Sequence, residues 1–259
     1  MSSSWFAKPV YKQIRYFSIA LLSVLFVLGL SNSLFLVVAV VYLILWGALT
    51  AYTACRIESG YYVPTVNYFH DAGNRICITF DDGPCEQTTA VLDKLRECNV
   101  RASFFCVGEQ VERNPDIARR IVEEGHTLGN HSFSHKVTFP VKSVSNITKE
   151  ITDTQELIAD VTGRTPRFFR PPFGVTNPLI AAALENSGLS SVGWSIRSLD
   201  TVTRDREKVL ERIRNGIKPG SIILLHDRIW GTVQLLDEVL VICREKNLDP
   251  VSLEEVFTK

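Results

Sequence analysis

Two adjacent carboxylates, Asp81 and Asp82, close an apolar run and are followed at once by Gly83-Pro84. Side chains alternate along a strand, so neighbouring aspartates serve one pocket only if a turn redirects them, and Gly-Pro is a turn signal. Downstream, His131-Ser132-Phe133-Ser134-His135 sets two imidazoles four residues apart. They can face one point if the segment is helical or tightly turned. One carboxylate and two imidazoles make a three-ligand metal set that leaves positions open for water and substrate, as hydrolytic metal sites require. The second carboxylate, beside the metal without binding it, is then the general base. This reading assigns Asp82, His131 and His135 to the metal and Asp81 to the base.

Each residue also has a blander reading. Aspartates ahead of Gly-Pro fit a helix cap. A lone H-x-x-x-H is more often a surface pair, and a histidine after an apolar strand, such as His226, is often a satisfied core group. His70 and His126 read as structural. Trp194 lies inside an apolar run and reads as core, while Trp230, soon after His226, suits packing and sugar stacking equally.

The motifs Thr79-Phe80-Asp81-Asp82-Gly83-Pro84, His131 to His135, Arg170-Pro171-Pro172-Phe173 and Leu224-Leu225-His226 resemble, in kind and order, those of polysaccharide deacetylases of the NodB-homology type, carbohydrate esterase family 4. The resemblance covers roughly residues 75 to 230. It implies that Asp81 is the catalytic base and that Asp82, His131 and His135 hold a divalent metal, zinc first, with cobalt, manganese or nickel as alternatives. It further implies that Arg170 pairs with Asp81, that the Phe173 backbone N–H helps hold the oxyanion, that His226 is the general acid, and that Leu224 walls the acetyl pocket. The chain departs from the family at Trp194 to Thr201. Arg197 stands where many members carry the aspartate that supports the acid histidine, and Thr201 replaces an aromatic residue. Asp200 and Asp227 are the candidates to take over that support, and spacing leaves both open.

The resemblance therefore implies a hydrolase that removes N-acetyl groups from amino sugars of a glycan or glycolipid. The same constellation would serve an O-acetyl ester or another C–N bond. Arg197 and Thr201 motivate a third reading, a catalytically silent glycan-binding or scaffold protein, against which stands the retention of base, ligands and acid together.

These residues must be positioned by elements the chain can build. Short apolar runs at 76–80, 102–107, 168–169, 191–196 and 221–225 alternate with helical patterns near 87–97, 109–124, 144–162, 176–187, 205–216 and 232–246. That alternation predicts an α/β fold with a largely parallel sheet. The motifs are expected at or just beyond the C-terminal ends of the strands, where barrel enzymes build their sites, and the resemblance implies a distorted (β/α) barrel of about seven strands.

Ahead of this domain, no residue from Phe17 to Cys55 is charged, about twice the ~20 residues that one membrane-crossing helix needs. Ser31-Asn32-Ser33 interrupts the run, so a hairpin of two spans, 14–31 and 34–55, fits better than one. A secretory signal has too short an apolar region to match. The expected organisation is a membrane segment over 1–56, a connector over 57–73 and a deacetylase domain over 74–259, in the plasma (inner) membrane. Lys8, Lys12 and Arg15 favour a cytoplasmic start, and a hairpin returns the domain to that side. The family's usual substrates lie outside the cytoplasm, which argues for a single exit span or an inverted hairpin. Lys and Arg total 28 against 28 Asp and Glu, so no basic field points to nucleic acid. Six cysteines without a C-x-x-C pair leave the compartment open; Cys77 and Cys106 read as buried thiols, and Cys85 falls near the first motif.

Overall fold

The computed structural model describes residues 11–29, 33–70 and 72–257. Lys8 and the Ser31-Asn32 interruption lie outside the described residues. Two apolar helices come first, α1 (Tyr11–Gly29) and α2 (Ser33–Ala54). They run side by side, and the hydroxyls of Ser18 and Tyr42 share a 3.0 Å hydrogen bond between them. Their large side chains, such as Phe17, Phe26, Leu36 and Leu45, face outward and touch no core.

The rest is a curled, parallel sheet wrapped in helices. In chain order its strands are β1 (Thr65–Val66), β2 (Arg75–Asp81), β3 (Ser103–Cys106), β4 (Thr127–Asn130), β5 (Phe168–Phe169), β6 (Ser190–Val192), β7 (Ile196–Arg197) and β8 (Ile222–His226). Their spatial order is β1-β6-β5-β4-β3-β2-β8-β7, and a short β9 (Asp249–Pro250) pairs with the start of β2. The crossovers are α3 (Glu86–Glu97), α4 (Gly108–Arg113), α5 (Pro115–Glu123), α6 (Val144–Thr162), α7 (Pro178–Leu184), α8 (Arg206–Gly216) and α9 (Thr232–Glu245), and α10 (Leu253–Phe257) follows β9. The open side is closed by irregular chain: Phe69 N–H donates to Gly220 O, and Ser195 N–H donates to Ile222 O.

Alternation along the strands decides which residues reach the interior. Ile76, Ile78 and Phe80 of β2, Phe104 and Cys106 of β3, and Ile223 and Leu225 of β8 face outward into one core shared with the helices. The intervening positions point into the barrel: Cys77 and Phe105 join an inner cluster with Phe168 and Ile222. Thr79, Asp81, Leu224 and His226 share that inward parity. Asp81 and His226 are direct partners across the β2–β8 pairing.

Four expectations need correction. The apolar run 191–196 is not one strand; it divides into β6 and β7, which sit far apart in the sheet order, and Gly193 to Ser195 cross between them. The helical pattern 109–124 breaks at Asn114, because Pro115 has no N–H to continue α4 and instead opens α5. The sequence offers no strand pattern ahead of the second motif, and the structure supplies β4, a four-residue strand with Gly129 inside it. Gly129 is required there, since a Cβ would meet the Phe105 ring at 2.7 Å. Within 57–73, Thr65 and Val66 form β1 and pair with β6, so part of the expected connector contributes to the sheet.

Candidate active site

The motif residues converge at the C-terminal mouth of the barrel. Asp81 ends β2, and Asp82 turns away from the strand with φ +79°. That left-handed step lets neighbouring carboxylates enter the same pocket. The helix-cap alternative fails, because the N-cap of α3 is Cys85. Beyond β4, residues 131–135 form no helix; Ser132 and His135 both adopt positive φ, at 64° and 48°. The turn is held from outside the motif. Asn130 Oδ1 accepts the Ser132 N–H at 2.9 Å, and the Glu150 carboxylate accepts from Ser134 N–H at 3.0 Å and from its hydroxyl at 2.8 Å. Glu150 lies on the buried stripe of α6 among Ile147, Ile151 and Thr154, an acidic group at a core position that the sequence offers as a signal.

Seven described non-glycine residues have positive φ, and two of them, Asn99 and Asn247, follow helices, where asparagine is at ease. The other five, Asp82, Ser132, His135, Phe173 and Leu199, all lie in the loops of this site. Such conformations cost roughly 1–3 kcal/mol each and persist where surrounding contacts over-determine them.

The donor set fits a divalent cation. One ligand atom from each of Asp82, His131 and His135 lies within 4.8 Å of the others. Asp82 Oδ1 is 3.6 Å from His131 Nε2 and 3.4 Å from His135 Nε2. Two donors each ~2.1 Å from one ion would stand about 3.0–3.4 Å apart, so little movement is needed. Hydrogen bonds leave the right atoms free: His131 Nδ1 donates to Arg170 O at 2.7 Å, which presents Nε2 to the pocket. Arg228 Nε reaches Asp82 Oδ2 at 2.9 Å, leaving Oδ1 facing the histidines; nothing in the motif spacing pointed to Arg228. Burial, reinforced by His131, pushes the His135 imidazole down to about 4, so it is neutral with a lone pair available. Burial opposes ionisation of Asp82, but hydrogen bonding and charge from His131 and His135 hold its carboxyl well below the usual range.

Asp81 stands next to this set and is held from behind. Its Oδ1 accepts from Arg170 Nη1 at 2.6 Å, and its Oδ2 is 3.7 Å from His131 Nε2. Arg170 is fully buried and spends its other donors on Thr79 Oγ1, Val192 O and Gly193 O. Its guanidinium lies 4.1 Å from the Phe105 ring centroid. The chain crossing from β6 to β7 is thus tied to the site by this arginine.

His226, at the end of β8, is clamped by one carboxylate. Asp200 Oδ1 is 2.8 Å from His226 Nδ1, and Asp200 Oδ2 accepts the His226 backbone N–H at 2.8 Å. Burial disfavours the imidazolium, yet the Asp200 hydrogen bond and charge outweigh it and raise the His226 pKa above its ordinary value. Asp227 does not take this part. Its Oδ2 accepts from Thr88 Oγ1 at 2.6 Å, burial raises its carboxyl to about 7, and any side chain at Gly83 would collide with it. Arg197 is exposed, with its guanidinium 5.7 Å from the Trp194 ring.

The pocket walls come from three further elements. Leu224 and Trp194 are buried together with Ile57, which follows α2. The Phe173 ring lies 4.7 Å from that of His135, and its backbone is left-handed at φ +62°. Trp230 is 96% exposed, so it fills no core. His126 accepts the Ala102 N–H at 3.1 Å and His70 lies edge-on to Tyr68, both away from the motif residues. Cys85 is half-buried at the cap of α3, and Cys77 and Cys106 are buried.

Comparison with known proteins places this arrangement. Residues 70–192 match the polysaccharide deacetylase family model. The chain is 35% identical over 184 residues to the peptidoglycan-N-acetylglucosamine deacetylase PgdA of Listeria monocytogenes, covering 71% of this chain and 39% of that protein. It thus spans well under half of that relative's length. It is 36% identical over 154 residues to a chitooligosaccharide deacetylase of Azorhizobium caulinodans, covering 59% of this chain and 73% of that one. The solved Bc1960 peptidoglycan N-acetylglucosamine deacetylase superposes with a TM-score of 0.68 at 31% identity, over 75% of this chain and 92% of that one. With motifs, fold and relatives in agreement, the chain belongs to the polysaccharide deacetylases of the NodB-homology type, carbohydrate esterase family 4.

Proposed function

We propose that this protein is a membrane-anchored, divalent-metal-dependent hydrolase that splits the N-acetyl group of an amino sugar into acetate and a free amine. The observation that carries this reading is the grouping of Asp82 Oδ1, His131 Nε2 and His135 Nε2, with the Asp81 carboxylate on one flank and His226 paired with Asp81 across the β2–β8 ladder. A divalent ion held there, zinc first by its donor preference, supplies Lewis-acid chemistry: it acidifies water and polarises a carbonyl. The protein's own groups do the rest. Asp81 Oδ2 takes a proton from the attacking water while Arg170 Nη1 donates to Oδ1 and aims the carboxylate. The Phe173 backbone N–H is assigned to the developing oxyanion. As the C–N bond breaks, His226 delivers a proton to the departing nitrogen from Nε2, since Nδ1 is committed to Asp200. Leu224 and Trp194 bound the space for the acetyl methyl.

Anchoring rests on α1 and α2. At about 1.5 Å per residue their 19 and 22 residues span about 28 and 33 Å, close to the ~30 Å hydrocarbon core. Both are long and apolar enough to cross a membrane, and their outward apolar faces have no protein to cover them among the described residues.

The test is acetate release from N-acetylated amino-sugar oligomers by the purified, metal-loaded protein. Release is expected, abolished by chelation and restored by zinc or cobalt; activity confined to O-acetyl esters would overturn the amide assignment. His135→Ala should weaken metal binding by at least about 100-fold in calorimetric titration, since even partners of ligands are worth 10–100-fold. Unchanged affinity would remove His135 from the ligand set.

Asp200→Asn tests the acid. Loss of that charge lowers the His226 pKa, and the acid works in its protonated form. The alkaline limb of the kcat/KM profile should therefore move to lower pH, with a smaller loss at the optimum than the ~10²–10⁴-fold expected of His226→Ala. An unmoved alkaline limb would show that Asp200 does not tune this step.

A further inference from the structure

We propose that the catalytic pocket opens beside the cytosolic leaflet of the membrane and that its substrate is an N-acetylated amino sugar carried on a membrane lipid. This rests on the deacetylase reading above and narrows it from glycans in general.

The first observation concerns sidedness. The start of α1 and the end of α2 both dock on the catalytic domain. The Tyr11 and Tyr62 rings are 5.4 Å apart, Lys12 pairs with Glu185 at 3.6 Å, and Ala54 O accepts the Thr176 N–H at 2.9 Å. The hairpin therefore begins and ends on the domain's side of the bilayer. The described residues at that end include Lys12, Arg15 and Arg56, whereas residues 30–32 of the sequence carry no charge. Cationic flanks are retained in the cytosol, so this distribution puts the domain there.

The second observation concerns distance. The residue chain leaving α2 walls the pocket directly, because Ile57 packs on Leu224 and Trp194. Phe173, whose ring touches that of His135, is three residues from Thr176, which is bonded to the last residue of α2. Three residues reach at most about 11 Å. The reacting carbonyl is therefore brought close to the chain that leaves the second apolar helix. A finished wall polymer on the far side of the bilayer has no route to such a site, whereas an amino sugar attached to a lipid in the same leaflet is presented at that height and held at high local concentration.

Two measurements on the full chain test this. A fluorescent protein fused after Lys259 is expected to fluoresce and an alkaline phosphatase fused there to be inactive. Cys55, an exposed thiol at the end of α2, should react with impermeant maleimide in inverted vesicles and not in right-side-out ones, with Cys55→Ser as the control. Active phosphatase, or labelling in right-side-out vesicles, overturns the proposal. In liposomes, polyprenyl-diphosphate-linked N-acetylglucosamine should be deacetylated with a kcat/KM about 10-fold or more above that for soluble chitooligosaccharide. Equal or better use of the soluble oligomer overturns the lipid assignment and leaves the deacetylase reading standing. Acetate from neither substrate overturns the deacetylase reading itself.

Discussion

Asp81→Asn is expected to keep its metal and lose its turnover. The amide retains an oxygen that can accept from Arg170 Nη1, and Asp81 is not among the three mutually close ligand atoms, so metal content should be unchanged. What disappears is the basic oxygen that lies 3.7 Å from His131 Nε2. A positioned base is worth about 10²–10⁴-fold, equivalent to roughly 2.7–5.4 kcal/mol of barrier, and the loss should fall on kcat with KM little altered. Metal content by mass spectrometry and steady-state kinetics on one preparation separate the two effects. A kcat within tenfold of the parent would end the assignment of Asp81 as base, and loss of metal would move Asp81 into the ligand set.

Arg170→Met should cost stability as well as activity. Arg170 is completely buried, yet its guanidinium meets polar groups and the faces of Phe105 and Trp194. Burial alone would lower its pKa, and the Asp81 carboxylate opposes that shift, so each charge is tolerated because of the other. Methionine fills similar volume but strands the Asp81 carboxylate and the carbonyls of Val192 and Gly193 without their donor. Breaking one side of a buried pair costs about 3–5 kcal/mol. For a domain of this size that is a fall in melting temperature of about 6–20 °C. Arg170→Lys should rescue little, because a single ammonium cannot serve donors directed at Asp81, Thr79 and two carbonyls at once. A melting temperature within about 2 °C of the parent would show that the pair is not a structural link between β2 and the β6–β7 crossing.

The residues proposed as ligands and base are legible in the sequence because each motif is local. Asp81 with Asp82, and His131 with His135, are near neighbours in the chain, and their side-chain chemistry does not depend on what surrounds them. The two apolar helices were equally legible, since length and lack of charge are properties of a segment alone. Errors arose where a segment's meaning depended on distant partners. The run 191–196 looks like one strand because β-rich composition says nothing about which neighbour each residue will pair with; Arg170 and the ends of β1 and β8 divide it. β4 escaped notice because Thr127-Leu128-Gly129-Asn130 has little strand character, and it is the flat approach of Phe105 that wants glycine there. The break at Pro115 is legible from proline's missing N–H, although the helical period continues through it.

The support for the acid histidine marks the boundary most clearly. Residue types and spacing alone point to a candidate carboxylate-and-imidazole centre joined to two apolar spans. Whether Asp200 or Asp227 held His226, that Arg228 secures the second oxygen of Asp82, and that Ile57, beyond α2, forms part of the pocket wall followed from the way β2 and β8 pair and the loops return. Residue types and covalent spacing fix what chemistry a short segment can do, whereas a contact between positions tens of residues apart exists only after the whole sheet has chosen its order.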